Sequence, residues 1–321
     1  TYSLARANHV VKLYPDTSAG TWRLEDQIVD SDELYFLQAG TGAVERTVRS
    51  RLRDRLSVAD FGTAGDGVTS DQTAVAAAVL AAHTAGNDLF WPDGTYLTTA
   101  SIPNLHSVRH FGPGIISRDG NSFYITIKAS QTNTLYVTHD GTSGNDGLST
   151  NDPAPLQEAF DALANYGPVL EGKWDISLAA GTYEGEFEYP EGLRSKYAVL
   201  IYGPDVSGSP NVPTAIFDGS GVSTAYGISS SNGVSLFVKD VKFQDYGVNG
   251  VNDEGAGLSL VNDCLLACDN VHTSNCYDGI LCYRGRLYVS GGLFVVNPAT
   301  AGQQANYSAI KAVFHCKHHI G

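Results

Sequence analysis

The sequence predicts a mainly β protein: a small N-terminal β module, a short trimeric helical neck, and a helix-capped right-handed parallel β-helix. Three observations carry that prediction. A unit of turn, helix, strand and Gly-Thr-Tyr turn occurs twice, once over 57–99 and again some eighty residues later. Beyond Lys196 helix periodicity disappears, and short apolar runs return at intervals in the twenties, the period of a solenoid coil. Finally, 35 glycines and no methionine in 321 residues supply turns as often as short strands need them.

A chain of this length exceeds one ordinary core, so several packed units are expected. The reading divides it into a module over 1–43, a neck over 44–56, a capped transition over 57–130, and a second cap with the first coils over 131–321. A formal net charge of −14 argues against nucleic acid as a partner, since phosphate contacts need a basic surface. No run approaches the roughly 18 apolar residues of a membrane helix, and the start, TYSLARANHV, lacks the apolar centre of a signal peptide. The five cysteines, Cys264, Cys268, Cys276, Cys282 and Cys316, show no zinc-ribbon pairing and read as reduced thiols packed as small apolar residues.

In the first module, the runs around Pro15 and Gly20 suit a small hairpin. Five acids between Glu25 and Glu33 are answered by five arginines between Arg46 and Arg55. Val44, Val48, Leu52 and Leu56 recur every fourth residue, which places them along one face of a helix. A helix of about three turns is marginal alone, so a homotrimer packing these four residues around a threefold axis is expected.

The first cap helix is expected over Asp71–Ala85, with Ser70 as its N-cap and Gly86 ending it. Ala74, Val75, Ala78, Val79 and Ala82 form its small-residue face. The second copy places Asp152 at the N-cap, Pro153 at the first helical position, Leu156, Phe160 and Leu163 on the buried stripe, and Gly167 at the end. Gly94-Thr95-Tyr96 corresponds to Gly181-Thr182-Tyr183. Such helices seal the open end of a strand stack, which would otherwise template aggregation.

In the stack, two interior ladders are expected: Ile228, Val251, Ile280 and Ile310, spaced 23, 29 and 30 residues, and Val238, Val261 and Val289, spaced 23 and 28. A β-sandwich also accommodates strands at this density, but it gives the repeated cap no role.

Neither a cofactor nor a metal is expected. "GTGAVE" from Gly40 lacks the third glycine of a dinucleotide loop, and "DGTSGNDGLSTN" from Asp140 lacks the closing Glu of an EF-hand. "HCKHH", with His315, Cys316, His318 and His319, has ligand chemistry but reads as a continued strand. No G-x-S-x-G elbow is present. Trp91, Tyr96, Trp174 and Tyr183 have side chains that stack on sugars, yet at strand ends they read as core.

These residues carry a resemblance. "YFLQAGTGAVERTVRSRLRDRLSVADFGTAGDGVTSDQTAVAAAVLAA" resembles the junction in tailspike and tail-fibre proteins of tailed bacteriophages, where a virion-binding head joins a pectate-lyase-like β-helix; the match runs over 34–99. "TLYVTHDGTSGNDGLSTNDPAPLQEAFDAL" is similar to a second element at the start of such β-helices. The resemblance implies a homotrimer located in the virion tail and attached there, or to a baseplate or adaptor protein, by its N-terminal module. It implies a bacterial surface polysaccharide as the distal partner. Against that architecture the chain stops at "FHCKHHIG" without a closing cap or C-terminal trimerisation module, so it reads as part of a longer protein.

Glycan cleavage requires paired carboxylates. Glu184, Glu186 and Glu188 alternate along an expected strand and are the candidates, since like charges at period two raise one another's pKa. Asp240, Asp245, Asp253, Glu254, Asp263, Asp269 and Asp278 read as solvated turn or strand residues. The span is expected to be non-catalytic, with a polysaccharide depolymerase as the alternative reading of the complete protein. A cellular secreted pectate-lyase-like protein is the remaining alternative.

Overall fold

A computed structural model describes residues 2–6, 9–16, 21–24, 34–36, 39, 41, 43–48, 55–166, 169–206, 212–220, 226–247, 255–290, 294–296, 308–313 and 317–320. The chain forms two compact units, Thr1–Arg55 and Leu56–Gly321.

In the first unit, Tyr2–Arg6, His9–Asp16 and Thr21–Leu24 form an antiparallel meander in which Asp16 pairs with Thr21. The hairpin expected around Pro15 is therefore present. The continuous helix expected from Val44 to Leu56 is not formed at its ends. Val44 is 75% exposed in an irregular segment, and Arg46–Thr47 pairs antiparallel with Tyr35–Phe36. Val48 is helical and half-buried, while Leu52 lies outside the described residues. Leu56 belongs to the second unit, as a strand residue opposite Leu89. Strand partners on either side give these backbone groups hydrogen bonds that a three-turn helix, costly to nucleate, does not match.

The second unit opens with a small parallel stack. Leu56–Ser57, Leu89–Phe90 and His110–Phe111 form one side, and Asp66–Ser70, Thr95–Leu97 and Ile115–Arg118 the other, closed by antiparallel Asn121–Tyr124. The first cap helix spans Gln72–Ala85 and buries Val75, Ala78, Val79 and Ala82; Gly86 ends it at φ 64. Its N-cap is Asp71 rather than Ser70. The Asp71 carboxylate is 2% exposed and caps nothing in the helix; it accepts from the Ala64 and Gly65 amides at 2.6 and 3.2 Å. It thus fixes the preceding loop, a use invisible in a capping pattern.

The main stack is built of coils with three faces. The first face runs through Thr132–Val137, Lys173–Leu178, Val199–Tyr202, the opening half of Ser235–Gln244, the opening half of Leu265–Ser274, Arg286–Ser290 and Lys317–Ile320, all parallel. The second comprises Gly181–Glu184, Ala215–Asp218, the closing halves of the two long strands and Phe294–Val296. The third comprises Phe187–Glu188, Tyr226–Ser231, Ala256–Val261, Asp278–Tyr283 and Ser308–Val313.

Left-handed residues turn the corners. Asp240 and Asn270 (φ 54 and 50) divide the long strands, Asp245 and Asn275 (φ 64 and 50) follow them, and Asn232 and Asn262 (φ 64 and 62) lead back to the first face. Short amide and carboxylate side chains tolerate this conformation best. They also bond along the stack: Asn270 Nδ2 donates to Asp240 Oδ1 at 2.7 Å, and Asn275 Nδ2 to Asp245 Oδ1.

Inward residues stack in register. On the first face Leu135, Ile176, Ile201, Val238, Cys268 and Val289 follow one another, each buried. Burying one such aliphatic side chain contributes about 1.5–3 kcal/mol. The expected ladder holds at Val238 and Val289, but the residue between them is Cys268; Val261 sits on the third face, opposite Ser231 and Tyr283. On the third face Phe187, Ile228, Leu258, Ile280 and Ile310 are in register. Val251 lies outside the described residues, and the rung is Leu258. Second-face Tyr183, Phe217 and Phe243 stack with ring centroids 5.2 and 4.9 Å apart.

The second cap helix, Leu156–Ala164, packs on the first strands of the first and third faces and so covers the start of the coils. Its N-cap is Pro155 and its C-cap Asn165, not Asp152 and Gly167; Gly167 lies outside the described residues. Asp152 instead approaches Arg118 at 3.9 Å. The two Gly-Thr-Tyr turns are equivalent in detail. Gly94 and Gly181 have φ 155 and 147, and each tyrosine hydroxyl donates to the carbonyl four residues back, Pro92 or Ala179, at 3.0 Å. A Cβ on Gly94 would lie 2.7 Å from the Gly65 carbonyl oxygen, so the close approach selects glycine.

Candidate functional site

The corner at Gly185, φ 118, separates the three candidate glutamates. Glu184 ends a second-face strand and Glu188 lies on the third face, with Glu186 between; all three are exposed. They do not alternate on one strand as expected, because the chain changes face at the glycine between the first two.

Glu186 and Glu188 border a surface groove of about 580 Å³ whose floor includes Tyr226, Ser229, Ser231 and Ser259. The second cap helix fixes its edge. Gln157 Oε1 accepts from the Glu188 amide and Gln157 Nε2 donates to the Glu188 carbonyl, both at 2.9 Å, so one side chain imitates a neighbouring strand. Ser230 Oγ donates to the Tyr189 carbonyl at 2.9 Å beneath. The lining offers hydroxyls, carboxylates and one aromatic side chain, the groups that meet sugar hydroxyls and ring faces.

Glu184 has a different acidic residue as its strand neighbour. Its register partner on the next coil is Asp218, one strand spacing away, about 4.8 Å. Burial works against the charged Asp218 carboxylate. The Ser220 amide at 2.8 Å and the Gln244 amide group at 2.7 Å, with the Ser220 hydroxyl and Lys242, outweigh it and hold its pKa below the ordinary value. Asp218 escaped the sequence reading because only strand register places it beside Glu184.

The remaining described coil acids sit at corners or in strands. Asp240 and Asp245 are corner acceptors, Asp263 is an exposed left-handed corner residue, and Asp278 is buried at the start of its strand. Asp269 faces outward; Asp253 and Glu254 lie outside the described residues. Trp91, Tyr96, Trp174 and Tyr183 are all buried, in keeping with the core reading. Cys264, Cys268, Cys276 and Cys282 are buried and in no disulfide, and burial pushes the Cys276 thiol up to about 11. Among the described residues no group of three His, Cys, Asp or Glu side chains is disposed to hold a metal; His315 and Cys316 lie outside them, as do the side chains of His318 and His319. No described helix is long and apolar enough to cross a membrane.

No protein-family model and no curated protein matches the chain. Among solved structures it is similar to a tailspike protein variant of E. coli bacteriophage HK620 in complex with pentasaccharide, at 12% identity and TM-score 0.27, over 91% of this chain and 55% of that one. It is likewise similar to tailspike protein 3 of bacteriophage CBA120, at 15% identity and TM-score 0.27, over 94% of this chain and 47% of that one. The chain thus spans about half the length of the tailspike proteins it matches.

Proposed function

We propose that this chain is a component of a phage tailspike or tail fibre, attached to the tail, baseplate or an adaptor by its N-terminal module and carrying a right-handed β-helix that recognises host surface polysaccharide. The observation that carries this reading is the parallel coil stack, sealed at its start by the helix Leu156–Ala164 and grooved on its third face by Glu186, Glu188, Tyr226 and serines. The virion context rests on the resemblance of residues 34–99 to phage tail-protein junctions. A sealed, polar-faced solenoid is a rigid platform for a long polymer, whose repeating sugars meet repeating coils.

Homotrimer assembly through the 44–56 segment belongs to the same proposal. Light scattering of residues 1–321 and of 56–321 tests it. A trimer that becomes a monomer on truncation supports the virion-fibre reading. A monomer in both cases removes the neck and favours a secreted pectate-lyase-like protein.

A second reading, polysaccharide depolymerase, is favoured by one observation, the Glu184 and Asp218 pairing on adjacent coils. Glycosidases act with two carboxyl groups on one substrate-facing surface, and this register sets the two acidic residues side by side on adjacent strands. Release of new reducing ends from capsule or O-antigen, abolished by Glu184→Gln or Asp218→Asn with binding retained, would establish it; no release from any bound polysaccharide would sink it.

A further inference from the structure

Ten described non-glycine residues have positive φ, and nine of them are Asn or Asp; the tenth is Arg284, at φ 53. Arg284 occupies the corner that leads from the third face to the first. Strand register sets it after Tyr283 as Asn262 follows Val261 and Asn232 follows Ser231. The two preceding coils therefore place the favoured residue type there, and this coil places a long cationic one. Local backbone preference does not explain it, and strain of this kind concentrates where a side chain is needed for another purpose.

The surroundings indicate that purpose. Arg284 lies over the Tyr283 ring, 5.2 Å from its centroid, which orients the guanidinium without neutralising it. Arg286, two residues on, is also exposed. Neither arginine has an ion-pair partner among the described residues. Both border an open groove of about 700 Å³ with Ser235 and Asp263, and Gly285 between them admits no side chain, since a Cβ would lie 2.7 Å from the Cys264 carbonyl oxygen. The next coil sets Lys317 at the register position after Arg286. In a chain of net charge −14, an approaching polyanion is repelled by most of the surface, and this corner is where two guanidinium groups offset that repulsion.

We propose that the Arg284–Arg286 corner binds the anionic group of an acidic polysaccharide, a uronate carboxylate or a phosphodiester. The proposal rests on the glycan-binding reading above and narrows its substrate class.

The test titrates the full chain with tetragalacturonate, with the same oligomer after reduction of its carboxyl groups to primary alcohols, and with inorganic phosphate. Arg284→Asn, which suits the left-handed corner, and Arg286→Gln are compared with the unsubstituted protein. The expected result is salt-dependent binding of the acidic oligomer or of phosphate, weakened at least tenfold by either substitution, with Arg284→Asn melting no lower than the parent. Preference for the oligomer assigns a uronate, and preference for phosphate a phosphodiester. Equal binding of the reduced oligomer would overturn the acidic class and leave polysaccharide recognition standing. Failure of both anions to distinguish parent from variants would overturn the site itself, while a panel of neutral surface glycans judges the broader reading separately. A marked loss of thermal stability in Arg284→Asn would make Arg284 a structural residue and would also overturn the proposal.

Discussion

Arg118 meets Asp146 through both terminal guanidinium nitrogens, at 2.5 and 2.9 Å, and each side chain is 1% exposed. This pair is the seam between the small opening stack and the main coils. Asp146 Oδ2 also accepts from the Ile102 amide at 2.9 Å, and Arg118 Nε donates to Thr98 Oγ1 at 3.1 Å, so both charges are fully engaged. The sequence around Asp140 to Asn151 reads as a turn rich in oxygen ligands, and its central carboxylate is instead consumed in joining two modules.

Removing Asp146 leaves the buried Arg118 charged, with only the Thr98 hydroxyl and the more distant Asp152 carboxylate, 3.9 Å away, to answer it. Asp146→Ala is expected to cost about 3–5 kcal/mol, and the double substitution Arg118→Met with Asp146→Ala less than that. Urea unfolding of 56–321 checks both, with the two single variants completing the cycle; additive losses would show that the ion pair does not couple the stacks.

Acid should loosen the same seam. His110 Nε2–H donates to the Leu105 carbonyl at 2.5 Å while Nδ1 accepts from the Trp91 indole at 3.0 Å. His106 repeats the pattern, with Nε2–H on the Asp146 carbonyl at 2.7 Å and Nδ1 receiving the Tyr166 hydroxyl at 2.8 Å. Both rings are thereby neutral. Burial depresses both pKa values, His110 to about 4. The unfolded chain takes up the His110 proton near pH 6.5 and the folded one does not until about 4, and His106 shifts in the same direction. Stability is therefore complete above pH 6.5 and falls as pH drops through that window, by roughly 3 kcal/mol for His110. His272, lowered by burial and by Lys242, acts with the same sign. A urea midpoint that stays flat from pH 7 to 4 would contradict this; a slope diminished in His110→Gln would assign it.

The corner amides make a prediction of unusual order. Asn270 is both a left-handed residue and the donor to buried Asp240. Replacement by Gly keeps the backbone conformation and loses the hydrogen bond; replacement by Ala loses both. Asn270→Ala is expected to fall below Asn270→Gly by about 1 kcal/mol, the reverse of the order inside a helix or strand. Equal thermal midpoints would show that the corner is not held left-handed.

Legibility followed the range of the interaction. The Gly-Thr-Tyr turns and the body of the helix Gln72–Ala85 are local, and glycine, tyrosine and apolar spacing announce them. The ladders were half legible. Val238 and Val289 share a column, but the coil advances 30 residues from Ile228 to Leu258 and 22 from there to Ile280, so no fixed period finds the rung between. Glu184, Glu186 and Glu188 looked like one face because alternation carries no mark of a corner, and Gly185 turns it. Asp146 and Asp218 are unreadable for a different reason: their partners are distant in sequence, and only the fold brings Arg118 or Gln244 to them, whereas Asp71 turns back to the nearby Ala64 amide in a loop that no capping pattern describes.

The boundary at Leu56 gives a further test. Leu56–Ser57 pairs with Leu89–Phe90, and Ser57 closes a capping box with Asp60 across Val58–Phe61, its amide donating to Asp60 Oδ2 at 3.0 Å. These residues belong to the second unit, so deletion of 1–55 should leave its thermal midpoint unchanged when protein concentration is held fixed. Deletion two residues further removes the first strand and the cap together. The cap alone is worth about 1 kcal/mol, and Leu56, packed against the core, adds its burial. A clear drop between the two truncations, read by calorimetry, places the start of the autonomous fold at Leu56. Equal midpoints would mean that the strand Leu89–Phe90 and the cap helix hold the opening stack without its first rung.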